Sequence, residues 1–393
     1  MTRPISATLH PKPSARSNVA PFLAMDVMAA ANRRETQGLP VAHMEVGQPG
    51  APAPRKVVEA AQAALAIGRI GYTEALGIPS LRQRIARHYR DAYGVEVPAS
   101  RIVVTTGSSG GFILGFLAMF DPGARVAITA PGYPAYRNTL LGLGLEPVEI
   151  ETTAATGWVM TPEAVERAHA EKPLAGLLVM SPANPSGTMM SPQALAALGE
   201  TCRRLGLWFV SDEIYHGLTY EAPAATALAF DEDAVVINSF SKYYCMTGWR
   251  VGWMVVPEAL VRPIERLSQS LYISVPYLSQ VAAEAAFEAT DELEAIKAGY
   301  AANRAMLLEG LPRIGLPDFL PVDGAFYVYV DIGRYTNDSM VFCRELLERE
   351  GVATTPGPDF DPARGHRYLR ISFAGTQDDC RATLEGLERF LKR

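Results

Sequence analysis

Short apolar runs rich in β-branched residues recur along the first two thirds of the chain. Six of them begin at residues 101, 125, 174, 207, 234 and 250 and read "RIVVTT", "RVAITA", "LAGLLVM", "LWFV", "AVVINSF" and "RVGWMVV". Near-continuous apolar runs of this length are typical of strands that are buried on both faces of a parallel sheet. The last two runs are joined by a loop, so that pair can include an antiparallel strand. The pattern predicts an α/β fold whose large domain has a mostly parallel sheet flanked by helices.

Helical signals separate several of these runs. From Ser191, "SPQALAALGETCRRLG" has an N-cap residue, a Pro at the first helical position and a Gly at its end. After about residue 285 the pattern changes to a long helical stretch, "QVAAEAAFEATDELEAIKAGYAANRAMLLEGL". A strand-like "GAFYVYVDI", a helix around "MVFCRELLEREG" and a second strand-like segment, "YLRISFA", follow it. This alternation predicts a smaller α+β domain.

We therefore predict three segments: an N-terminal arm and helix over 1–46, a large domain over 47–285 and a small domain over 286–393. A chain of 393 residues exceeds the usual size of a single hydrophobic core, which favours two packed units. The first twenty residues are interpreted as a disordered arm. The segment "FLAMDVMAAANRRETQG" is expected to form a helix that packs on the small domain, because it precedes the first sheet elements.

Composition and charge narrow the function classes. With 48% hydrophobic and 20% charged residues, the chain resembles a globular protein, and its net charge of -6 disfavours a nucleic-acid binder. The apolar runs are too short to cross a membrane. The four cysteines are far apart, which disfavours a zinc site or a disulfide framework, and no apolar leader is visible in the first twenty residues. We expect a cytoplasmic protein that binds small ligands and no metal.

Polar side chains follow four of the predicted strands, where ligands bind in an open parallel sheet. The segments that follow the strands are "GSSGG" at 107–111, "SPANPSGT" with Asn184, "SDEIYHG" with Asp212 and Tyr215, and the pair Ser241 and Lys242. Because the carboxyl ends of parallel strands share one edge, these residues are predicted to form one binding site.

Each of these residues also has a purely structural interpretation. Ser108 and Ser109 suit a phosphate at a helix N-terminus, but a Gly-rich turn can serve geometry alone. Asp212 ends an apolar strand, where a buried carboxylate needs a cation such as a pyridinium nitrogen; it can also cap the next turn. Arg250 offers a two-pronged phosphate contact or a structural ion pair. Tyr133 can stack on an aromatic ligand or fill the core.

Lys242 stands among apolar and aromatic neighbours in "VVINSFSKYYCMTGWRVGW". Burial disfavours an ammonium group, and a neutral amine is what a Schiff-base nucleophile needs; alternatively, the head of Lys242 reaches water. Together, a phosphate cradle, a cation partner, an amine and a second phosphate ligand converge on one edge of the sheet. Those are the requirements of pyridoxal phosphate, which presents a phosphate, a ring nitrogen, a phenolic oxygen and an aldehyde.

The segment "SFSKYYCMTGWRVGW" closely resembles the Lys signature of the class I/II aminotransferases, pyridoxal-phosphate enzymes of fold type I that include aspartate aminotransferase. The similarity covers nearly the whole chain from Gly47 and extends to "GYTEALGIPSLR", "TTGSSGG", "SPANPSGT", "SDEIYHGLTY", "DGAFYVYV" and "YLRISFA". It implies transfer of an amino group from an L-amino acid to a 2-oxo acid, such as 2-oxoglutarate or pyruvate. A C–S β-lyase and a catalytically silent cofactor-binding regulator are the alternatives.

The resemblance also implies a role for each matching residue. Lys242 forms the Schiff base and moves the proton, and Asp212 keeps the ring nitrogen protonated. Tyr215 and Asn184 bind the phenolic oxygen, and Tyr133 stacks on the ring. The residues that bind the phosphate belong to the Gly-rich turn and the Lys signature: Gly107, Ser108, Ser109, Ser239, Ser241 and Arg250.

Three further matches concern the substrate and a second subunit. Arg370 resembles the residue that binds the substrate α-carboxylate, assisted by Gly47 and Asn184. Tyr72 matches a residue that reaches the phosphate of the neighbouring subunit, which implies a homodimer with shared active sites. Ser109 stands where some aspartate-selective relatives have a Lys, so strict aspartate specificity is not expected.

Overall fold

The computed structural model of the protein describes residues 11–392. Its helices are α1 Leu23–Thr36, α2 Arg55–Ile67, α3 Pro79–Tyr93, α4 Gly107–Met119, α5 Pro134–Gly142, α6 Pro162–Glu171, α7 Pro192–Leu205, α8 Glu258–Leu271, α9 Tyr277–Ala286, α10 Thr290–Arg313, α11 Ser339–Glu350 and α12 Gln377–Leu391. Its strands are β1 Ala42–His43, β2 Ile102–Thr105, β3 Arg125–Ala130, β4 Glu146–Glu151, β5 Gly176–Met180, β6 Trp208–Asp212, β7 Val235–Ser239, β8 Gly252–Val255, β9 Tyr327–Asp331, β10 Val352–Ala353, β11 Thr355–Pro356 and β12 Tyr368–Ser372.

A seven-stranded sheet with the order β2-β8-β7-β6-β5-β3-β4 forms the larger part of the fold. β8 pairs antiparallel with both β2 and β7, and the remaining pairs are parallel. The predicted α/β class, with a mostly parallel sheet and an antiparallel member in the last pair, is confirmed. Because six strands run in one direction, their carboxyl ends meet at one edge of the sheet.

Alternate residues of the central strands pack into two separate cores, one on each face of the sheet. Val235 and Ile237 belong to one apolar cluster, and Val236 between them belongs to the other. This alternation follows from the strand period of two and explains why the strand sequences are apolar throughout. The sheet is therefore covered on both faces, which fixes the positions of its strand ends.

The structure contains one strand of the large sheet that the apolar pattern did not predict. β4, "EPVEIE", lies at the sheet edge, pairs with β3 alone, and is mostly half-exposed or exposed. Its three Glu residues interrupt the apolar pattern, so an apolar run does not mark this strand. The predicted helix at Ser191 is confirmed as α7: the Ser191 hydroxyl accepts a hydrogen bond from Ala194 N at 3.1 Å, and Gly206 ends the helix with a left-handed φ of 68°.

The C-terminal third contains an antiparallel sheet with the order β11-β12-β9, and its strand β10 pairs in parallel with β1 from the N-terminal part of the chain. The long helical stretch is divided into α9 and α10. Phe287 lies at the break, and its buried ring packs 5.3 Å from the ring of Phe240 between centroids. The domain boundaries at 46 and 285 stay a prediction.

Helix α1 contacts the C-terminal part of the chain: Ala31 is buried in a cluster with Leu347 and Ala353. Of the predicted disordered arm, residues 1–10 lie outside the described residues, and Ala15–Ser17 forms a short 3-10 turn. The four cysteines are buried and unpaired. Within residues 11–392, no helix is long and apolar enough to span a membrane, and no group of three His, Cys, Asp or Glu side chains is placed to hold a metal ion.

Candidate active site

A cavity of about 340 Å³ opens at the carboxyl ends of the parallel strands. Its lining includes eleven residues predicted from the sequence: Gly47, Ser108, Ser109, Tyr133, Asn184, Asp212, Tyr215, Ser241, Lys242, Arg250 and Arg370. The cavity also has walls from helix α1 and from the segment that precedes β12. The strand-end residues therefore meet, as the parallel topology requires.

Lys242 follows β7 by three residues and projects into this cavity. Its Nζ donates a hydrogen bond to the carbonyl oxygen of Gly47 and lies 5.7 Å from the ring centre of Tyr215. Burial, together with the positive charges of Arg370 and Arg250, lowers the pKa of the amine from 10.5 to about 8. A substantial fraction of Lys242 is therefore neutral near physiological pH.

Gly47 allows this contact because it has no side chain. A Cβ at this position would collide with the hydroxyl group of Tyr327, so only glycine brings its backbone so close to the cavity. The carbonyl oxygen of Gly47 can then reach Lys242 without displacing Tyr327.

Asp212, the last residue of β6, is buried, with 1% of its surface exposed. One carboxylate oxygen accepts a hydrogen bond from the hydroxyl of Tyr136, and the other accepts one from Ile214 N at 3.0 Å. Burial raises the pKa of Asp212 to about 7, although both hydrogen bonds and the charge of Lys242 oppose this shift. A cation bound beside this carboxylate would restore its ionised form.

The neighbouring acid, Glu213, does not compete for this role. Its Oε1 accepts hydrogen bonds from Thr226 Oγ1 at 3.0 Å and Ala227 N at 2.9 Å, and Glu213 does not line the cavity. Burial raises the pKa of Glu213 to about 8, so this carboxyl is mostly protonated at neutral pH. Of the two consecutive acids, only Asp212 faces the site.

Replacing Tyr136 with Phe tests the hydrogen bond to Asp212. A hydrogen bond to a charged acceptor contributes about 1.5–3 kcal/mol, so kcat is expected to fall roughly 10- to 100-fold while the fold is retained. The loss also raises the pKa of Asp212, because Tyr136 stabilises its ionised form. Steady-state rates across pH 5.5–9 would check this, with Tyr93→Phe as a control that removes a half-buried hydroxyl bonded to His216. An unchanged kcat and pH profile in Tyr136→Phe would contradict it.

Two tyrosine hydroxyls lie side by side on the wall nearest Lys242. The hydroxyl of Tyr215 and that of Tyr327 are 2.6 Å apart, and both residues are buried. Burial raises the pKa of both, so each remains a neutral phenol that can donate a hydrogen bond. The pair is a source of hydrogen bonds for an anionic oxygen in the cavity.

Arg370 reaches the cavity from β12 and is 3% exposed. Its Nη1 donates to Asn184 Oδ1 at 2.9 Å, and its Nη2 donates to the carbonyl of Glu45 and to Thr355 Oγ1, the latter at 3.3 Å. Within the described part of the chain, Nε of Arg370 has no hydrogen-bond partner. A buried guanidinium with an unpaired donor calls for an anion.

Two aromatic rings fix the plane of this guanidinium. Its central carbon lies 4.4 Å from the ring centre of Tyr327 and 4.7 Å from that of Phe360. Cation–π contacts of this kind stabilise Arg in partly desolvated sites. Arg370 is therefore held in one orientation before any ligand arrives.

A second cationic region lies at the N-terminus of α4. Gly107 has a left-handed φ of 69°, and a Cβ there would lie 2.5 Å from Arg250 Nη2, so glycine lets the guanidinium approach the helix end. Arg250 itself has a left-handed φ of 51°, a strained conformation for a non-glycine residue. Thr106, the N-cap residue, makes no side-chain hydrogen bond to the first turn. This end of α4 is suited to an anion.

Three predicted residues lie outside the cavity lining. Gly107 packs directly against the guanidinium of Arg250. The buried Ser239 donates a hydrogen bond to Ser241 Oγ at 2.8 Å, which orients that hydroxyl. Tyr72 is 83% exposed and lies in another part of the surface, in a shallow depression with Ile70 and Tyr277. A single chain does not bring Tyr72 into its own site.

Sequence reasoning missed several residues of the site. Tyr136 donates a hydrogen bond to Asp212, and the hydroxyl of Tyr327 contacts that of Tyr215. Phe360 packs on the guanidinium of Arg370. Tyr136 lies three residues after the predicted Tyr133, and Tyr327 lies inside "DGAFYVYV", but aromatic residues in apolar segments look the same whether they fill a core or a site. Asp359, a buried acid in the stretch before β12, gave no signal at all.

The fold and site together define an enzyme of the aminotransferase type. Residues 41–387 match the family described as "Aminotransferase class I and II", and the chain belongs to this family. A valine–pyruvate aminotransferase of Mycobacterium tuberculosis is 49% identical over 381 residues, which cover 96% of this chain and 97% of that protein.

Solved structures agree with this assignment. The crystal structure of an aminotransferase from Mycobacterium tuberculosis has a TM-score of 0.95 at 47% identity, covering 98% of this chain and 100% of that one. Aspartate aminotransferase from Thermus thermophilus, solved with maleate, has a TM-score of 0.91 at 32% identity, covering 97% and 100%. The predicted family, fold and enzyme class are confirmed: the protein is an aminotransferase, which moves an amino group to a 2-oxo acid.

Proposed function

We propose that the protein is a pyridoxal-phosphate-dependent aminotransferase that acts through a Schiff base at Lys242. The observation that supports this most strongly is the meeting of a lysine of lowered pKa, a buried carboxylate and two arginines in one cavity. Enzymes of this family generally depend on pyridoxal phosphate, and the cavity contains a complementary group for each polar part of that cofactor.

The arrangement of donors fits the cofactor. The glycine gap at Gly107 leaves room for Arg250 at the end of α4, and Ser108, Ser109 and Ser241 surround the same region of the cavity. We assign these residues, oriented by Ser239, to the phosphate. Asp212 would pair with the ring nitrogen, which supplies the cation that a buried carboxylate needs.

The remaining cofactor contacts follow from the tyrosine pair and Asn184. We assign the hydroxyl of Tyr215 and the amide of Asn184 to the phenolic oxygen, and the ring of Tyr133 to the face of the cofactor. When bound, pyridoxal phosphate supplies an aldehyde that condenses with an amine and a ring that withdraws electrons from the attached carbon.

The chain itself supplies the proton carrier and the substrate clamp. Arg370 would bind the substrate α-carboxylate with its unpaired Nε and its Nη groups, held flat by Tyr327 and Phe360. Nζ of Lys242 would take a proton from the α-carbon of the donor amino acid in one half-reaction. It would deliver a proton to the α-carbon derived from the 2-oxo acid in the other. Its lowered pKa suits this work, because a base near neutral pH is efficient in both directions.

The pH dependence of cofactor capture tests the state of Lys242. The rate at which the apoenzyme gains visible absorbance with pyridoxal phosphate is expected to rise about tenfold per pH unit below about 8 and to level off above it, because only the neutral amine reacts. Arg370→Met removes a positive charge that lowers this pKa, so its midpoint moves to higher pH. A wild-type midpoint near the ordinary 10.5 of lysine would contradict the account.

We also propose a homodimer with shared active sites. Tyr72 stands in an exposed apolar region with Ile67, Ile70 and Ile273, which are between 45% and 83% exposed. Contiguous exposed apolar side chains mark protein interfaces, and a second copy of the chain would cover them. Sedimentation of the wild type and of Ile67→Glu would test this: the wild type should be a dimer, and a monomeric wild type would refute it.

The substrates are proposed from the relatives. One relative is named for valine and pyruvate, so we propose valine as the first donor and pyruvate as the first acceptor to assay. Formation of the 2-oxo acid in proportion to the new amino acid would support transamination. Release of ammonia and pyruvate from cystathionine would instead favour the C–S β-lyase, whose chemistry the same Lys242 and Asp212 could serve. A cytoplasmic location stays a prediction.

A further inference from the structure

Helix α1 presents different residues to the cavity and to the C-terminal part. Phe22, Met25 and Met28 recur at intervals of three, share one face and line the cavity. Ala31, one turn beyond Met28, is buried instead against Leu347, in a cluster that Val27 joins. The cavity face is therefore a wall of two thioethers and an aromatic ring.

Phe22 connects this wall to the proposed seat of the cofactor ring. Its ring meets that of Tyr133 edge to face, with centroids 5.8 Å apart. A substrate whose carboxylate lies on Arg370 and whose α-carbon lies near Lys242 would extend its side chain within the same cavity. This placement of the substrate rests on the proposed function.

The cations that line the cavity are all assigned above to the cofactor or to the substrate α-carboxylate. Within the described residues they are Lys242, Arg250 and Arg370. Lys242 Nζ donates to Gly47 O, Arg250 Nη1 donates to Thr247 O at 2.9 Å, and Arg370 Nη1 donates to Asn184 Oδ1. None of the three belongs to α1. A second carboxylate on a substrate would therefore find no cation on this wall.

The N-terminus of α1 could have served such a carboxylate, but Asp359 occupies it. Asp359 Oδ1 accepts from Leu23 N at 3.1 Å and Oδ2 accepts from Ala24 N at 3.3 Å. Asp359 is 3% exposed and lines the cavity. It uses the donors of the helix end and adds a negative charge that repels a second carboxylate. Phe360, the next residue, packs against Arg370, so the wall and the carboxylate clamp are joined.

We propose that Phe22, Met25 and Met28 form the side-chain pocket of the enzyme and select amino acids with apolar side chains. Asp359 acts as a positioning residue: it holds the end of α1 in place and excludes acidic substrates. The preferred donors are then branched aliphatic amino acids, and aspartate and glutamate are poor donors. Thioether side chains adapt to several apolar shapes, which favours a class of substrates over a single one.

The first test compares amino acids of similar size on the cofactor-loaded enzyme. The kcat/KM for valine is expected to exceed that for aspartate by about 100-fold or more, since an apolar pocket leaves a buried carboxylate unpaired. Calorimetry with unreactive acids gives a readout without turnover: 3-methylbutanoate should bind at least about tenfold tighter than butanedioate. Equal or reversed preferences in either experiment would overturn the inference. Turnover of no amino acid at all would overturn the proposed function as well, so the two failures differ.

The second test compares one α1 residue that lines the cavity with one that does not. Met28→Ala is expected to lower kcat/KM for valine about tenfold and to change that for alanine less than twofold, because a methyl side chain does not need the wall. Val27→Ala, which lies outside the cavity lining and packs on the cluster with Leu347, should leave the valine-to-alanine ratio unchanged. A ratio that shifts equally in both variants would show a general effect of helix stability and refute the pocket.

The third test separates charge from position at Asp359. Asp359→Asn keeps an oxygen that can accept from Leu23 N or Ala24 N and removes the negative charge. We expect it to raise the aspartate-to-valine ratio of kcat/KM about tenfold. In Asp359→Ala, which also loses the cap, kcat/KM for valine should fall below that of Asp359→Asn. An unchanged ratio in Asp359→Asn would contradict the exclusion of acidic substrates.

Discussion

Replacing Lys242 with Ala is expected to abolish steady-state transamination, with a fall in kcat of at least about four orders of magnitude, or roughly 5–6 kcal/mol. The proposal gives this one side chain two tasks, joining the cofactor and moving the proton at the substrate α-carbon. Lys242 is also the only lysine among the residues that line the cavity in the described part of the chain. Coupled assay of 2-oxo acid formation, at saturating cofactor and donor, would measure the loss.

The matched measurements separate chemistry from folding. The variant should keep the far-ultraviolet spectrum of the wild type and still bind pyridoxal phosphate reversibly, because Arg250, Ser108 and Ser241 remain. Lys172→Ala, which removes a surface lysine paired with Glu146, should retain full activity. Sustained transamination by Lys242→Ala, above that of a mock preparation, would refute the assignment of Lys242.

Replacing Asp212 with Asn is expected to give the second largest effect, a fall in kcat of two to three orders of magnitude. Removing one partner of a buried charge pair costs about 3–5 kcal/mol, and an amide cannot hold a proton on the ring nitrogen. Asn keeps the size of the side chain, so the loss reports charge. Single-turnover rates with the wild type and the variant would check it, and a fall of less than about tenfold would contradict the proposed pairing.

The same variant should have the opposite effect on the stability of the apoenzyme. The pKa of Asp212 is raised from 3.8 in the unfolded chain to about 7 in the fold, so ionisation favours the unfolded state. Asp212 therefore destabilises the apoenzyme progressively as the pH rises from about 4 to about 7. Asp212→Asn should raise the apoenzyme Tm more at pH 8 than at pH 5. A larger gain at pH 5 would contradict this sign.

The sequence was informative where one physical rule placed residues without knowledge of the tertiary structure. Parallel strands bring their carboxyl ends to one edge, so Asn184, Asp212 and Lys242 could be placed in one site from the strand pattern alone. The antiparallel β8 could be anticipated because its connection to β7 contains no crossover helix. The roles of individual residues came from the family resemblance instead.

The parts that could not be predicted depend on contacts between segments far apart in the chain. Tyr136 reaches Asp212 across 76 positions, and Arg370 reaches the carbonyl of Glu45 across 325. No local pattern encodes such pairs. Helix α1 shows a related limit: an apolar residue such as Met28 reads the same whether it faces a core or a substrate. The contribution of Tyr72 depends on a second chain and stays a prediction.

The most direct test of the central claim is the visible absorption spectrum of the purified, cofactor-saturated enzyme while valine and other amino acids are added one at a time. The account predicts a visible band that depends on Lys242 and that a donor converts to the spectrum of pyridoxamine phosphate, with restoration by pyruvate. A band that no amino acid changes would contradict transamination and favour elimination, and the absence of any band at saturating cofactor would contradict the assignment of Lys242 itself.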